Sequence, residues 1–240
     1  VKKFEHHSFV MGLGFVAGFI DVFGFTQLGG LLPAHVTGTL IFVAISLSHG
    51  HYDIILKLAA LPIFCLAVLG SAWFIGAIAE RGRDPLLPAL LMQAALLLCG
   101  VFSAMLLPSP HGPDDLVTVA VGTCALAAMG MQNTIMRLIL NNLPPTTVMT
   151  GNITQVLSDT VAYACRFSSI RHTTNEKVIL ERQAKRMLIT VLSFLAGALV
   201  AAFTCHRLGD FALCLPIVAI LCLIPFGQKT LRAPGAQPAA

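Results

Sequence analysis

Two short polar runs set in apolar sequence hold the residues best placed to do chemistry. The first is Gly18-Phe-Ile-Asp21, then Leu32-Pro33-Ala-His35-Val-Thr37-Gly38. The second is Gly130-Met-Gln-Asn133, then Leu143-Pro144-Pro145-Thr-Thr-Val-Met-Thr150-Gly151. The copies lie about 112 residues apart; the step from Gly to Asp or Asn is three residues in both, and the onward step to Thr-Gly differs by one. A carboxylate inside an apolar stretch is costly to bury and marks a proton or substrate site by default, which singles out Asp21. The plainer role for Asp21 is a hydrogen bond that locks its helix against the following loop. Its counterpart Asn133 cannot titrate, so a proton step would belong to one half only.

Thr37-Gly38 and Thr150-Gly151-Asn152 each fall where a short helix would begin. Unpaired N–H groups and the positive end of the helix dipole gather there. Thr is a common N-cap, Gly permits close backbone approach, and Asn152 with Gln155 three residues on has the pattern of a capping box. Two such helix ends facing each other would favour an anion or polar acceptor and disfavour a bare cation. His35 could line the same path or be a satisfied structural histidine. Asp159, two turns past Asn152 and seven residues before Arg166, could serve the path or form a salt-bridged helix end. Arg137 closes a long apolar segment and is expected to snorkel to the surface.

The elements that must position these residues are apolar throughout. Of 240 residues, 56% are hydrophobic and only 11% charged, against about 25% charged in soluble domains. Several stretches without Asp, Glu, Lys or Arg, among them 22–52, 58–79 and 86–112, exceed the roughly 18–20 residues that cross a bilayer as a helix. The expectation is an all-α polytopic membrane protein. The net charge of +4 sits mainly between segments, where it sets topology and meets anionic lipid rather than nucleic acid. Seven cysteines are scattered without metal-ligand spacing and read as small apolar packing residues. No metal or cofactor is expected. No small-residue cleavage pattern follows the first apolar segment, so a cleavable leader is not expected either.

Eight segments can be drawn, at about 8–28, 36–48, 54–79, 86–107, 116–140, 148–165, 187–205 and 211–227. The second is too short to cross. The sixth carries Asn152, Thr154, Gln155, Ser158, Asp159 and Thr160, so it cannot face lipid cheaply. If those two dip in and return, six crossings remain. Lys2/Lys3, Arg81/Arg83, the basic 166–186 stretch and Lys229/Arg232 then share one side, which the positive-inside rule makes cytoplasmic. Both termini are then inside, and the halves (1–110 and 111–240), with three crossings each, form an inverted repeat. Eight crossings would give a parallel 4+4 repeat instead. Gly14/Gly18, Ala72/Gly76 and Gly197/Ala201 are small-residue seams for close helix contact.

His35-Val-Thr-Gly38, Val148-Met-Thr-Gly-Asn-Ile-Thr-Gln155 and Ala17-Gly-Phe-Ile-Asp21 resemble the YoaK-like family of bacterial inner-membrane proteins. The resemblance spans about 8–227 and implies six spans in the inner membrane without an assigned activity. One departure is Thr39, where the pattern usually shows Asn; the second copy keeps Asn152.

Three functions bear comparison with this pattern. A transporter or channel for a small polar or anionic solute, with a proton step through Asp21, accounts for the duplicated motif. An intramembrane enzyme lacks HExxH, GxSxG, paired carboxylates or a phosphate loop, so no enzymatic activity is expected. A non-transporting scaffold or sensor subunit has little soluble surface but could use lateral helix contacts. The expected partners are the lipid bilayer, a small solute and a second copy of the chain.

Overall fold

The computed structural model describes the backbone of residues 2–50, 54–107, 112, 114–165 and 174–231, and side chains over 8–50, 54–107, 112, 114–161 and 184–226. Among the described residues all regular structure is helical: α1 (Lys2–Gln27), α2 (Val36–Ser48), α3 (Ile55–Glu80), α4 (Leu86–Leu106), α5 (Leu116–Thr134), α6 (Met149–Cys165), α7 (Thr174–Leu208) and α8 (Cys214–Leu231). A π-helical turn, Ile135–Ile139, extends α5, and a 3₁₀ segment, Gly209–Leu213, joins α7 to α8.

Among the described residues, five stretches are long and apolar enough to cross a membrane: Ser8–Gln27, Ile55–Glu80, Leu86–Leu106, Leu116–Ile139 and Ala184–Phe226. The first four, of 20 to 26 residues, match a hydrocarbon core about 30 Å thick at ~1.5 Å per residue. The fifth is 43 residues long, about twice that reach, and the 3₁₀ segment breaks it. With 13 residues, α2 spans only ~20 Å. Outward faces are apolar: α3 exposes Leu66, Leu69 and Trp73, and α7 exposes Leu195, Leu199 and Phe203, with Trp73 and Phe203 each 75% exposed. Patches of this kind on water-facing helices would be an aggregation hazard; against lipid tails they are ordinary. The chain is a membrane-type helical protein.

The core is built on α1 and α5. Phe9, Leu13, Phe19, Ile20 and Phe23 of α1, and Leu126 and Met129 of α5, are essentially inaccessible. α1 packs on α7 and α8, while α5 packs on α3 and α4. α4 meets α8, α2 lies on α3, and α6 lies on α7. Exchanging α1–α4 for α5–α8 leaves this set of neighbours unchanged.

Individual contacts give the helix directions. Gly14 faces Thr190 and Ser193, and Gln27 Nε2 donates to the Cys205 carbonyl at 3.4 Å, so α1 and α7 run parallel. Gly122 faces Leu56 and Gly130 faces Ala67, so α5 and α3 also run parallel. Between the central pair the sense reverses: Gln132 Nε2, late in α5, donates to the Leu13 carbonyl, early in α1, at 2.9 Å. Gly122, early in α5, faces Leu31 just beyond the end of α1.

The tightest crossing is α1 on α7. A Cβ placed on Gly18 would lie 2.0 Å from the Phe194 carbonyl oxygen, and one on Gly197 would lie 2.0 Å from the Phe15 carbonyl oxygen. Ala201 is fully buried in the same seam. Small residues let two backbones touch here, and dispersion supplies the attraction that the hydrophobic effect cannot supply in lipid. Gly14/Gly18 and Gly197/Ala201, each expected to form a close helix contact, lie on α1 and α7, where Gly18 and Gly197 make the crossing. In the other half the close pair is Gly130 with Ala67, whereas Gly76 has nothing within 4 Å. Gly18→Ala or Gly197→Ala must therefore push the backbones apart and destabilise the protein by about 1–3 kcal/mol. Gly76→Ala should be neutral. Thermal unfolding of the detergent-solubilised variants reads the difference; equal melting for all three would refute the crossing.

Candidate functional site

After α1 the chain turns back on itself. Gly29 and Gly30 adopt left-handed conformations (φ 64° and 91°), which glycine takes without a Cβ penalty. Residues 31–35 then run back along α1, so close that a Cβ on Gly24 would lie 2.6 Å from the Leu31 carbonyl oxygen. This returning strand is not in regular structure, and its backbone groups need partners. Asp21 supplies two. Its Oδ1 accepts the Ala34 N–H at 2.7 Å, and its Oδ2 is hydrogen-bonded to His35 Nδ1. The carboxylate is 7% exposed and the His35 side chain 33% exposed, so the ring links a buried acid to more open space. The ring also packs edge-on against Phe194 of α7, with centroids 5.5 Å apart. One further partner comes from α2: Thr39 Oγ1 accepts the Leu32 N–H at 2.9 Å.

Asp21 lies six residues, or ~9 Å, inside the end of α1. α2 therefore starts at that depth and runs back outward, because Lys57 Nζ, near the start of α3, reaches Ser46 Oγ at 3.5 Å near the end of α2.

The second copy repeats this construction with neutral groups. Asn133 Oδ1 accepts the Thr147 hydroxyl at 2.6 Å, while its Nδ2 donates to the Met129 carbonyl at 3.0 Å. Asn152 Nδ2 donates to the Pro145 carbonyl at 2.8 Å. The spacing is the same in both copies: 14 residues for Asp21–His35 and Asn133–Thr147, and 7 for Leu32–Thr39 and Pro145–Asn152.

The residues expected at the site divide into two groups. Asp21, His35, Asn133 and Asn152 bind the returning segments. Thr37, Thr150 and Gly151 are exposed, and Gly38 is half-buried. The N-cap expected of Thr37 is not formed: His35 holds that position without a side-chain cap bond, and α2 begins at Val36. α6 likewise begins at Met149. Each helix starts earlier than the Thr-Gly pair, so the threonines point away and Thr39 and Asn152, two residues on, face inward. The capping box at Asn152/Gln155 is absent for the same reason: Gln155 is exposed and donates to Asp159 Oδ1 at 2.8 Å. Arg166, the proposed partner of Asp159, lies outside the described residues.

Sequence reading passed over a third feature. Gln93 Nε2 donates to Gln132 Oε1 at 2.7 Å, and Gln132 Nε2 donates to the Leu13 carbonyl and to Thr146 Oγ1 at 3.0 Å. Both glutamines are fully buried. They tie α4, α5, α1 and the segment before α6 together beside the second hinge. An amide in each of two apolar helices, Gln93 alone in α4 and Gln132 beside Asn133 in α5, was the available signal. Next to this network a cavity of about 310 Å³ opens along Asn133, Met136, Arg137, Asn141, Leu143, Pro145 and Val148. Among the described residues, no cluster of three or more His, Cys, Asp or Glu could hold a metal.

These features define an apolar helical membrane protein with two hydrogen-bonded hinges, one ionisable and one neutral. The chain belongs to the DUF1275 family, described as a protein of unknown function, which it matches over residues 9–225. The match carries the family and not the narrower YoaK-like name. No curated protein and no solved structure matches the chain.

The hinge bonds lead to a direct test at Thr39. Thr39→Val keeps shape but leaves the Leu32 N–H unpaired in a buried place, a loss of about 1–3 kcal/mol. Thr39→Asn supplies the group the second copy uses and should retain most of the stability. Melting temperatures in the order wild type, Asn, Val are expected; a Val variant as stable as wild type would remove the hinge bond from the account.

Proposed function

We propose that the protein is a transporter or channel for a small polar or anionic solute, with a path along the two hinges and a proton step at Asp21 and His35. The observation that carries the reading is the buried Asp21 carboxylate, held by its own loop and joined through His35 to more open space. An ionised Asp21 accepts from both Ala34 and His35. Protonation turns one carboxylate oxygen into a donor and weakens acceptance at the other, so the bond to the Ala34 N–H weakens and the first hinge loosens. The proton's place and the hinge's position are then linked, as carrier coupling requires.

The topology that goes with this reading has six crossings. The 43-residue stretch is divided at Gly209–Leu213, and α2 and α6 are re-entrant. The opposed directions of α1 and α5, and the neighbour set that survives exchange of the halves, support a two-fold inverted repeat. In that arrangement Lys2, Lys3, Arg81, Arg83, Arg137, Lys185 and Arg186 share one side. The positive-inside rule makes it the cytoplasmic face of a bacterial inner membrane, with both termini there.

A second reading, a non-transporting scaffold or a homo-oligomer, is favoured by the broad apolar faces of α3 and α7 around Trp73 and Phe203.

Proteoliposome flux across inorganic anions, organic acids and amino acids, with and without a pH gradient, separates these readings. Wild type should show flux that the gradient drives. Asp21→Asn should lose that drive by tenfold or more, on the order of 1.4 kcal/mol of coupling. Asp21→Asn flux with unchanged pH dependence would end the proton step. Absent flux, together with unreactive single cysteines at Thr37, Thr150 and Asn152, would favour the scaffold.

A further inference from the structure

We propose that Arg137, with Asn141 beside it, forms a binding site for an oxyanion, a phosphate or carboxylate, at the mouth of the second hinge. The proposal deepens the transport reading by naming the anion class, and it is tested by binding rather than by flux, so the two can fail separately. Arg137 lies on the π-helical turn Ile135–Ile139. π-helical turns are frequent at functional sites. The side chain borders two cavities at once. One, of about 310 Å³, holds the polar groups of Asn133, Arg137 and Asn141. The other, of about 260 Å³, is lined by Val68, Ala72 and Leu138 together with Asn133, Thr134 and Arg137. A guanidinium bordering one cavity of mixed lining and one that is almost wholly apolar suits an anionic group attached to an apolar body, and equally a small free oxyanion in the mixed cavity alone.

Arg137 is exposed and has no ion pair or hydrogen bond among the described residues. Its five donors form a planar fork that matches a phosphate or carboxylate in two-point contact. The other half shows what this position does when it is purely structural. Moved back by the repeat spacing of 112, Arg137 falls on Phe25, and Phe25 packs edge-on against Phe42 at 5.5 Å. An aromatic pair fills the space there. In the second half a cation and a cavity stand in its place, so packing alone does not account for the arginine.

The test uses the full chain. In uncharged detergent, inorganic phosphate is titrated against chloride at matched ionic strength. In parallel, nanodiscs of phosphatidylglycerol are compared with nanodiscs of phosphatidylcholine by thermal unfolding. Wild type should show saturable stabilisation in at least one arm. A response to phosphate identifies a free oxyanion; a response to phosphatidylglycerol alone identifies a lipid headgroup. Arg137→Gln should weaken the response about tenfold or more, Arg137→Lys should recover part of it, and Arg207→Gln at the opposite end of the bundle should leave it unchanged. If Arg137→Gln does not fold, Asn141→Leu must weaken the same titration. No saturable response in either arm, or equal responses in wild type and the Gln or Leu variant, overturns the site.

Discussion

In an apolar solvent every backbone N–H and C=O must find a partner within the protein, and this constraint governs the two places where the chain leaves helix inside the bundle. The segments 28–35 and 140–148 return along helices already formed and have no ladder of their own. Side chains take that part. Asp21 holds the Ala34 N–H, Thr39 holds the Leu32 N–H, and Asn152 holds the Pro145 carbonyl. Prolines at 33, 144 and 145 lower the demand further, because each removes a donor from the segment. These polar side chains thus serve the places where the backbone is broken. A polar side chain that stabilises a break is also one whose protonation or ligation can release it.

The helices that carry the breaks are held by close packing rather than by exclusion of water. α1 can sit at the centre only because Gly18 and Gly197 let α1 and α7 touch backbone to backbone. Across the bundle, Gly130 brings α5 onto α3. These crossings fix the helices from which Asp21 and Asn133 project, with Gly18 and Gly130 three residues before them. Seam and hinge therefore lie within one turn of each other on the same helix. A shift of α1 along α7 would move Asp21 against its loop.

Much of this was legible in the residues. Apolar runs located most helix bounds to within a few residues, although α1 and α7 begin at Lys2 and Thr174, well ahead of their apolar runs at 8 and 187. The shared spacing of Gly18–Asp21 and Gly130–Asn133 pointed to both hinges. Sequence reading erred on which motif residues face inward. The Thr-Gly pairs resemble helix starts, but the helices begin at Val36 and Met149, so the inward positions are Thr39 and Asn152. Helix phase is set by where the loop's own hydrogen bonds end, and residue type does not encode that. The Gln93–Gln132 bond was unreadable for a different reason: it joins residues 39 apart, and only the packing of α4 on α5 brings them together. Arg137 is exposed at the end of its helix, where the sequence places it, but no periodic signal announces the π-helical turn that carries it.

The two hinges share a geometry and differ in chemistry, and that difference is informative. If holding the loop were the whole requirement, the neutral pair Asn133–Thr147 shows that neutral groups meet it at the same spacing. An aspartate in that role adds a desolvation cost that an asparagine avoids. The first half nonetheless has a carboxylate and an imidazole, both able to exchange protons, and the second half has a free guanidinium one turn beyond its hinge. Closing the loop does not by itself call for the carboxylate and imidazole, and that asymmetry is what the proposed proton step uses. Both hinges close the chain with side-chain bonds at matched spacings and differ in the groups that carry charge, and that difference is what the proposed proton step and anion site draw on.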